Sequence, residues 1–278
     1  MQESLELRVD EEVACRVFAD DEGERLGHLR KVLLAPGDPR LPAIGVLQDE
    51  LRAEGRRFFG WWYHHRRYTP AELRDASALV LVIGWSSALA GEVAGTVYET
   101  ASQCPLCGAG RRKLSPLRLR FGELPRVNDI IRASSGEFVV SQHFVDSYHA
   151  AGGAGAAFTP VEFRRSLRTG TPAWYEMSST ATPVSMLGGT RFASTPFPDA
   201  ARDQRFECPL GDTVGRQRIS ELHLTQTDVL DADVVETREC IGSGHPHREL
   251  LLSGRLRQHL LTAKVRGLKF EIARPPLG

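Results

Sequence analysis

The chain has 278 residues, of which 41% are hydrophobic and 25% charged, and this composition is typical of a soluble globular protein. Its 35 basic and 35 acidic residues cancel, which excludes binding to DNA, RNA or an anionic membrane through net charge alone. No apolar run approaches the roughly 20 residues of a membrane-spanning helix, and the N-terminus has no secretory signal pattern. We therefore expect a cytoplasmic protein that does not bind a membrane, and any binding of a nucleic acid would have to depend on a local basic patch.

Residues 1–100 predict an N-terminal α/β region. Loose alternation of apolar residues over 4–18 predicts a strand or hairpin, and apolar residues at helical spacing between Ile44 and Leu51 predict a helix. The aromatic stretch FFGWWYHHRRY at 58–68 predicts a strand. Thr69, Pro70 and Glu72 have the pattern of a capping box, so a short helix should follow and lead into a buried strand at 78–84.

The next segment, 101–166, begins with the phrase CPLCG at 104–108. Strands are predicted at 117–124 and 136–140, and a helix is predicted from Ser141 to about Ala151. Ser141 is the expected N-cap, because its hydroxyl can accept a hydrogen bond from a first-turn amide. A glycine stretch ends the helix, and a further strand is predicted at 156–163.

The last segment, 167–278, repeats this order in a degenerate form. CPLG at 208–211 resembles the first phrase with one cysteine missing, and a strand, a helix beginning after Ser253 and a closing strand follow. Ser141 and Phe158 have the same separation as Ser253 and Phe270. The sequence therefore predicts an α+β fold with two related β-rich strand-helix-strand units that arose by internal duplication.

The five cysteines indicate reduced thiols or metal ligands rather than disulfides. A CxxCG turn can present two thiolates to one Zn²⁺ ion, and a structural zinc needs four ligands. We therefore predict a structural zinc site built from Cys104, Cys107, Cys208 and Cys240, with His223, His245 and His247 as further candidate ligands. The alternative is a pair of free thiols left over from a lost site.

The aromatic stretch at 58–68 is the best candidate for a partner surface. Strand alternation places Trp61, Tyr63 and Arg67 on one face, and exposed Trp, Tyr and Arg side chains are common anchors of protein interfaces. The alternative is a strand buried in the core with an aromatic edge.

Two other functions remain open from the sequence. Arg111, Arg112 and Lys113 directly follow the cysteine turn and could contact phosphates, as in a zinc-ribbon nucleic-acid-binding protein. A metal-dependent enzyme is the other alternative, although no catalytic residue can be named for it.

Part of the sequence resembles the double-CxxCG motif proteins, a family of bacterial proteins that includes immunity proteins. The resemblance covers 100–278, and it depends on Cys104, Cys107 and Gly108 and on the segments 136–141, 206–221 and 264–273. The second CxxCG motif is degenerate. The resemblance implies a non-catalytic protein that neutralises a toxin by binding to it and covering its active site.

Overall fold

The computed structural model describes residues 1–56, 58–83, 90–120, 128–163, 173–197, 208, 211–225, 231–242 and 246–274. These residues form five α-helices and many strands, so the predicted α+β class is confirmed. No helix among them is long and apolar enough to cross a membrane.

The elements of the first half, in chain order, are β1 Gln2–Asp10, α1 Glu11–Ala14, β2 Glu24–Leu26, β3 Leu29–Leu34, α2 Leu41–Ala53, β4 Phe59–Arg67, α3 Pro70–Asp75, β5 Ala78–Leu81, a 3-10 helix Gly91–Ala94, β6 Tyr98–Glu99, β7 Arg112–Lys113, β8 Arg118–Leu119 and β9 Ile130–Arg132. Those of the second half are β10 Phe138–Ser141, α4 Gln142–Ala150, β11 Ala156–Pro160, β12 Glu162–Phe163, β13 Trp174–Ser179, β14 Phe192–Ala193, β15 Thr213–Val214, β16 Gln217–Arg218, β17 Leu222–His223, β18 Val234–Glu236, β19 Ile241–Gly242, β20 Leu250–Ser253, α5 Gly254–Thr262 and β21 Phe270–Arg274.

The chain divides into two compact units. Unit 1 contains Met1–Thr69, Phe192–Arg205 and Arg216–Ile219, and unit 2 contains Pro70–Arg191, Phe206–Gly215 and Ser220–Gly278. The sequence suggests boundaries at residues 100 and 166. These boundaries separate the predicted repeated segments rather than compact units, and they stay a prediction.

Unit 1 is a four-stranded sheet covered by a helix. The strand order is β2-β3-β1-β4, and β1 pairs antiparallel with both β3 and β4. Alternate residues of β1 point into the core, and the apolar side of α2 packs there with the buried Trp62. The predicted helix and the predicted aromatic strand are both present.

The prediction of a strand or hairpin over 4–18 is only partly correct. β1 ends at Asp10, and the side chain of Asp10 accepts a hydrogen bond from the amide of Glu12 and caps α1. This local hydrogen bond starts a helical turn where apolar alternation alone predicted an extended chain.

Unit 2 contains two sheets of corresponding order. One sheet has the order β17-β21-β5-β20-β18. The other has the order β11-β13-β10-β9. β12 follows β11 closely in the chain and pairs in parallel with β8 in a separate two-stranded sheet. Parallel pairing also joins β17 to β21.

The residue pairing is equivalent in the two sheets. Ser141 lies opposite Trp174, and Ser253 lies opposite Ala78. The outer pairs agree as well, because Phe138 faces Arg132 in one sheet and Leu250 faces Glu236 in the other. Each sheet thus consists of the same strand-strand-helix-strand arrangement around a central strand.

The central strands come from unexpected parts of the chain. β5 precedes the first cysteine turn, but it lies between β20 and β21 of the second arrangement. β13 precedes the second cysteine segment, but it lies between β10 and β11 of the first. The strand that precedes each cysteine segment in the chain is therefore the central strand of the other arrangement, so β5 and β13 are exchanged between the two sheets.

Both predicted helices begin at the expected serines. Ser141 accepts a hydrogen bond from the amide of Phe144, and Ser253 accepts one from the amide of Leu256. α4 and α5 pack against residues of both sheets in one apolar core. The correspondence describes geometry, and an origin of the two arrangements by duplication stays a prediction.

Candidate metal centre and exposed sheet face

The first cysteine turn folds tightly around its sulfurs. The amide of Cys104 donates to the carbonyl of Ala109 at 2.7 Å, and the amide of Gly108 donates to the carbonyl of Cys104 at 2.9 Å. Gly108 has a φ of 77°, which a residue with a Cβ adopts only at a cost. The amide of Ala109 donates a hydrogen bond to the Sγ of Cys107 at 3.4 Å, so a backbone donor of the turn is directed at this sulfur.

The second segment forms a related turn with one cysteine fewer. The amide of Gly211 donates to the carbonyl of Cys208 at 2.9 Å, and Gly211 has a φ of 80°. β15 follows directly and pairs in parallel with β19, which begins after Cys240.

The two turns bring three cysteines together. The Sγ atoms of Cys104 and Cys107 each lie 3.6 Å from the Sγ of Cys208. All three sulfurs lie within 4.8 Å of one another, which is close enough to bind one metal ion. Zinc–sulfur bonds of about 2.3 Å in a tetrahedron would place two sulfurs about 3.8 Å apart.

The cluster is enclosed by protein. Cys104, Cys107 and Cys208 are each less than a tenth exposed, and Ala109 completes the buried cluster. Burial raises the pKa of the Cys107 thiol to about 12. The pKa of the Cys104 thiol is lowered, chiefly by hydrogen bonds from the backbone amides of Cys107 and Leu106. Because a coordinated thiol loses its proton, a metal cation would favour the thiolate form at these positions.

Cys240, the fourth ligand predicted from the sequence, lies beside the cluster without joining it. It is half-buried and packs against the three cysteines, but the metal-binding group formed by the described residues does not include it. Burial raises the pKa of its thiol to about 11. Its assignment as a ligand therefore stays a prediction.

Asp212 is the neighbour that the sequence reasoning missed. It is buried, and its Oδ2 atom lies 3.3 Å from the Sγ of Cys107 and 3.7 Å from the Sγ of Cys208. The available signal was its position in the degenerate second motif, directly after Gly211.

The candidate histidine ligands do not add to this group. His223 is in β17, where its ring lies against Gly189, and His247 pairs with Ile241 through backbone hydrogen bonds. Neither belongs to the metal-binding group found among the described residues, and His245 lies outside those residues.

The three cations after the first cysteine turn are engaged with carboxylates. Arg111 stacks over the Tyr98 ring at 4.2 Å and approaches Glu92. Arg112 lies 3.5 Å from Glu99, and Lys113 pairs with Glu176. Phosphate binding would have to compete with these ion pairs.

The other candidate site is the sheet face of unit 1 that points away from α2. We call this surface the outer face and define it by six residues that share one side of the sheet: Glu6, Arg8, Lys31, Leu33, Trp61 and Tyr63. Leu33 is 54% exposed and Trp61 is 39% exposed. Their exposure confirms the alternation, since Trp62 points to the opposite side and is buried in the core.

Contacts within the outer face hold its aromatic side chains in place. The rings of Trp61 and Tyr63 stack with centroids 5.4 Å apart, and the Arg8 guanidinium lies 5.1 Å from the Trp61 ring centroid. Glu6 accepts hydrogen bonds from Arg8 at 2.7 Å and contacts His65 at 2.8 Å. Arg67, the third predicted partner-binding residue, is exposed at the end of β4.

No protein-family model matches this chain, and a search of curated proteins also found no match.

Proposed function

We propose that this chain is a cytoplasmic, non-catalytic binding protein in which a structural zinc ion stabilises unit 2 and the outer face of unit 1 binds a protein partner. The observation that carries the proposal is the burial of the three thiols, because a metal ion enclosed by protein is typical of structural zinc, whereas catalytic zinc keeps a position open to substrate.

The outer face has the chemistry of a protein interface. Trp61 and Leu33 expose apolar surface, and Arg8 and Lys31 surround it with charge. Aromatic anchors with a charged rim are common at protein interfaces. Because stacking already orders Trp61 and Tyr63, binding would cost less side-chain entropy than it would for free side chains.

We further propose that the partner is a toxin and that the protein acts as an immunity protein, as the resemblance to double-CxxCG proteins implies. Duplication of one strand-helix-strand unit is part of this proposal. The equivalent pairing in the two sheets and the equivalent caps at Ser141 and Ser253 support it.

The nucleic-acid alternative is less well supported, because Arg111, Arg112 and Lys113 already face carboxylates. The enzyme alternative would need an accessible metal, and the candidate ligands are buried. We therefore favour partner binding over both.

Growth rescue tests the proposed function. We expect a toxin-like protein to be encoded beside this gene, and cells that express it should grow when this chain is co-expressed. The double variant W61S/Y63S should lose the rescue. Val46→Ser is the matched control, because Val46 is 60% exposed on α2 of the same unit and should tolerate the change.

The outcomes separate the parts of the proposal. Absence of rescue by the wild-type chain would contradict the immunity role. Equal rescue by W61S/Y63S and Val46→Ser would show that the outer face is not the binding surface.

A further inference from the structure

Asp212 has one carboxylate oxygen held by the backbone and the other directed at the thiols. Its Oδ1 atom accepts a hydrogen bond from the amide of Cys240 at 2.7 Å. Its Oδ2 atom contacts the Sγ atoms of Cys107 and Cys208. The segment that contains Cys240 therefore orients the carboxylate, and the Oδ2 atom contacts cysteines from two other segments of unit 2.

The distances agree with coordination of a shared metal ion. In a tetrahedral zinc site, with Zn–S bonds of about 2.3 Å and a Zn–O bond of about 2.0 Å, oxygen and sulfur ligands lie about 3.5 Å apart. The Oδ2 atom lies 3.3 Å from the Cys107 sulfur and 3.7 Å from the Cys208 sulfur. These values lie on either side of the tetrahedral distance.

We propose that Asp212 is the fourth ligand of the metal centre, so that the donor set is three thiolates and one carboxylate. The Oδ2 atom contacts two of the three sulfurs but is not among the ligand atoms that all lie within 4.8 Å of one another, and it would complete the tetrahedron by moving towards Cys104. The bond from the Cys240 amide to Oδ1 can act as the pivot for this movement. This inference depends on the proposed zinc centre and adds the identity of its fourth ligand.

The charge of the buried group also favours a cation between these side chains. Asp212 is only 7% exposed, and among the described residues its carboxylate accepts hydrogen bonds from the Cys240 amide and from two thiols and makes no ion pair with an arginine or lysine. A buried carboxylate is costly unless a cation or several donors compensate it. Thiols that lose their protons to bind a metal no longer donate to Oδ2, and a divalent ion bound by Oδ2 and the sulfurs would replace this compensation.

Cys240 then has a different role from the one the sequence suggested. Its backbone amide orients Asp212, and its thiol is close enough to the Arg248 side chain to hydrogen-bond with it. Because the contact to Asp212 comes from the backbone, Cys240→Ser preserves it. Donors that fix a ligand in this way are typical of the surroundings of metal sites.

X-ray absorption spectroscopy of the full-length, zinc-loaded protein tests this assignment. We expect three sulfur neighbours at about 2.3 Å and one oxygen neighbour at about 2.0 Å. Cys240→Ser should leave this shell unchanged. Asp212→Cys should convert it to four sulfurs, because the new thiol replaces the carboxylate.

Zinc affinity gives a second measurement that does not depend on the fit of the absorption spectrum. Competition with a chromophoric chelator should show a loss of at least about 100-fold for Asp212→Asn, which keeps the side-chain shape and an oxygen for the Cys240 amide. Cys240→Ser should change the affinity by less than about 10-fold, since its backbone contact is retained.

Failure of this inference differs from failure of the zinc proposal. A four-sulfur shell in the wild type that falls to three in Cys240→Ser would overturn the assignment of Asp212 and leave structural zinc intact. A wild-type protein that binds no zinc would overturn both.

Discussion

Replacing Cys208 should abolish the proposed zinc binding and destabilise unit 2. The Sγ of Cys208 lies 3.6 Å from the sulfurs of both Cys104 and Cys107, so Cys208→Ser removes the central donor of the cluster. Cys15→Ser is the matched control, because Cys15 is exposed and belongs to unit 1.

The size of the effect follows from the chain length between the ligands. Cys104 and Cys208 are 104 residues apart. Closing a loop of about 100 residues by a cross-link reduces the entropy of the unfolded chain by an amount equal to about 4.7 kcal/mol of stability. Mass action gives a similar value of about 4.1 kcal/mol when free metal is present at about 1,000 times its dissociation constant.

The assay is thermal unfolding of the wild type and both variants, with zinc and with a chelator. A loss of about 4 to 5 kcal/mol should lower the Tm of unit 2 by about 10 to 20 °C. The chelated wild type and Cys208→Ser should behave alike, and Cys15→Ser should remain within about 0.5 kcal/mol of the zinc-loaded wild type. If zinc and chelator give the same Tm for the wild type, the structural role of the metal is refuted.

Two further predictions concern the core of unit 2. Burial opposes ionisation of Asp233, but hydrogen bonds from Ser253 and Arg255 outweigh it and hold the pKa of Asp233 below 3.8. The stability that this carboxylate contributes is thus present above pH 3.8 and is lost as the pH falls through the lower pKa of the folded state. In urea unfolding, the free energy of unfolding should therefore fall less steeply with decreasing pH in Asp233→Asn than in the wild type. An identical dependence on pH in the two proteins would contradict this. Phe144→Ala should cost about 3 to 5 kcal/mol in urea unfolding, because Phe144 is fully buried between the sheets, whereas the exposed Val46→Ala should cost less than about 0.5 kcal/mol.

Local signals in the sequence predicted the elements that depend on neighbouring residues. Ser141 and Ser253 mark helix starts because the capping hydrogen bond joins residues three apart. The CxxCG phrase predicted a tight turn with two thiols for the same reason. Cys208 was found only by comparing the two segments, since 104 residues separate it from Cys104.

Features that depend on long-range packing were not predicted. The apolar run at 78–81 indicates a buried strand, but it does not say which strands pair with it. Asp212 was missed because a single acidic residue in a loop has no distinctive spacing, and its position beside the thiols depends on the pairing of β15 with β19. Cys240 was chosen because it begins a loop-like stretch that could reach the same ion, whereas the structure brings the carboxylate of Asp212 to the sulfurs of Cys107 and Cys208.

The exchanged strands make the two arrangements of unit 2 interdependent. β5 supplies the central strand between β20 and β21, and β13 supplies the one between β10 and β11. A chain cut between Phe163 and Ala173 would therefore leave each fragment without the strand that its own helix-containing arrangement needs.

The unit 2 part of each fragment should consequently be largely unfolded when the fragment is alone, because its strands would expose unpaired backbone and apolar side chains, whereas the sheet of unit 1 lies wholly within the first fragment. Mixing the two fragments should restore the fold and bring Cys104 and Cys107 back to Cys208, so zinc should strengthen their association. Circular dichroism of the separate and mixed fragments would measure this. Separate fragments whose circular dichroism already adds up to that of the mixture would show that the strand exchange does not govern the fold of unit 2, since each fragment would then complete its sheet from its own residues.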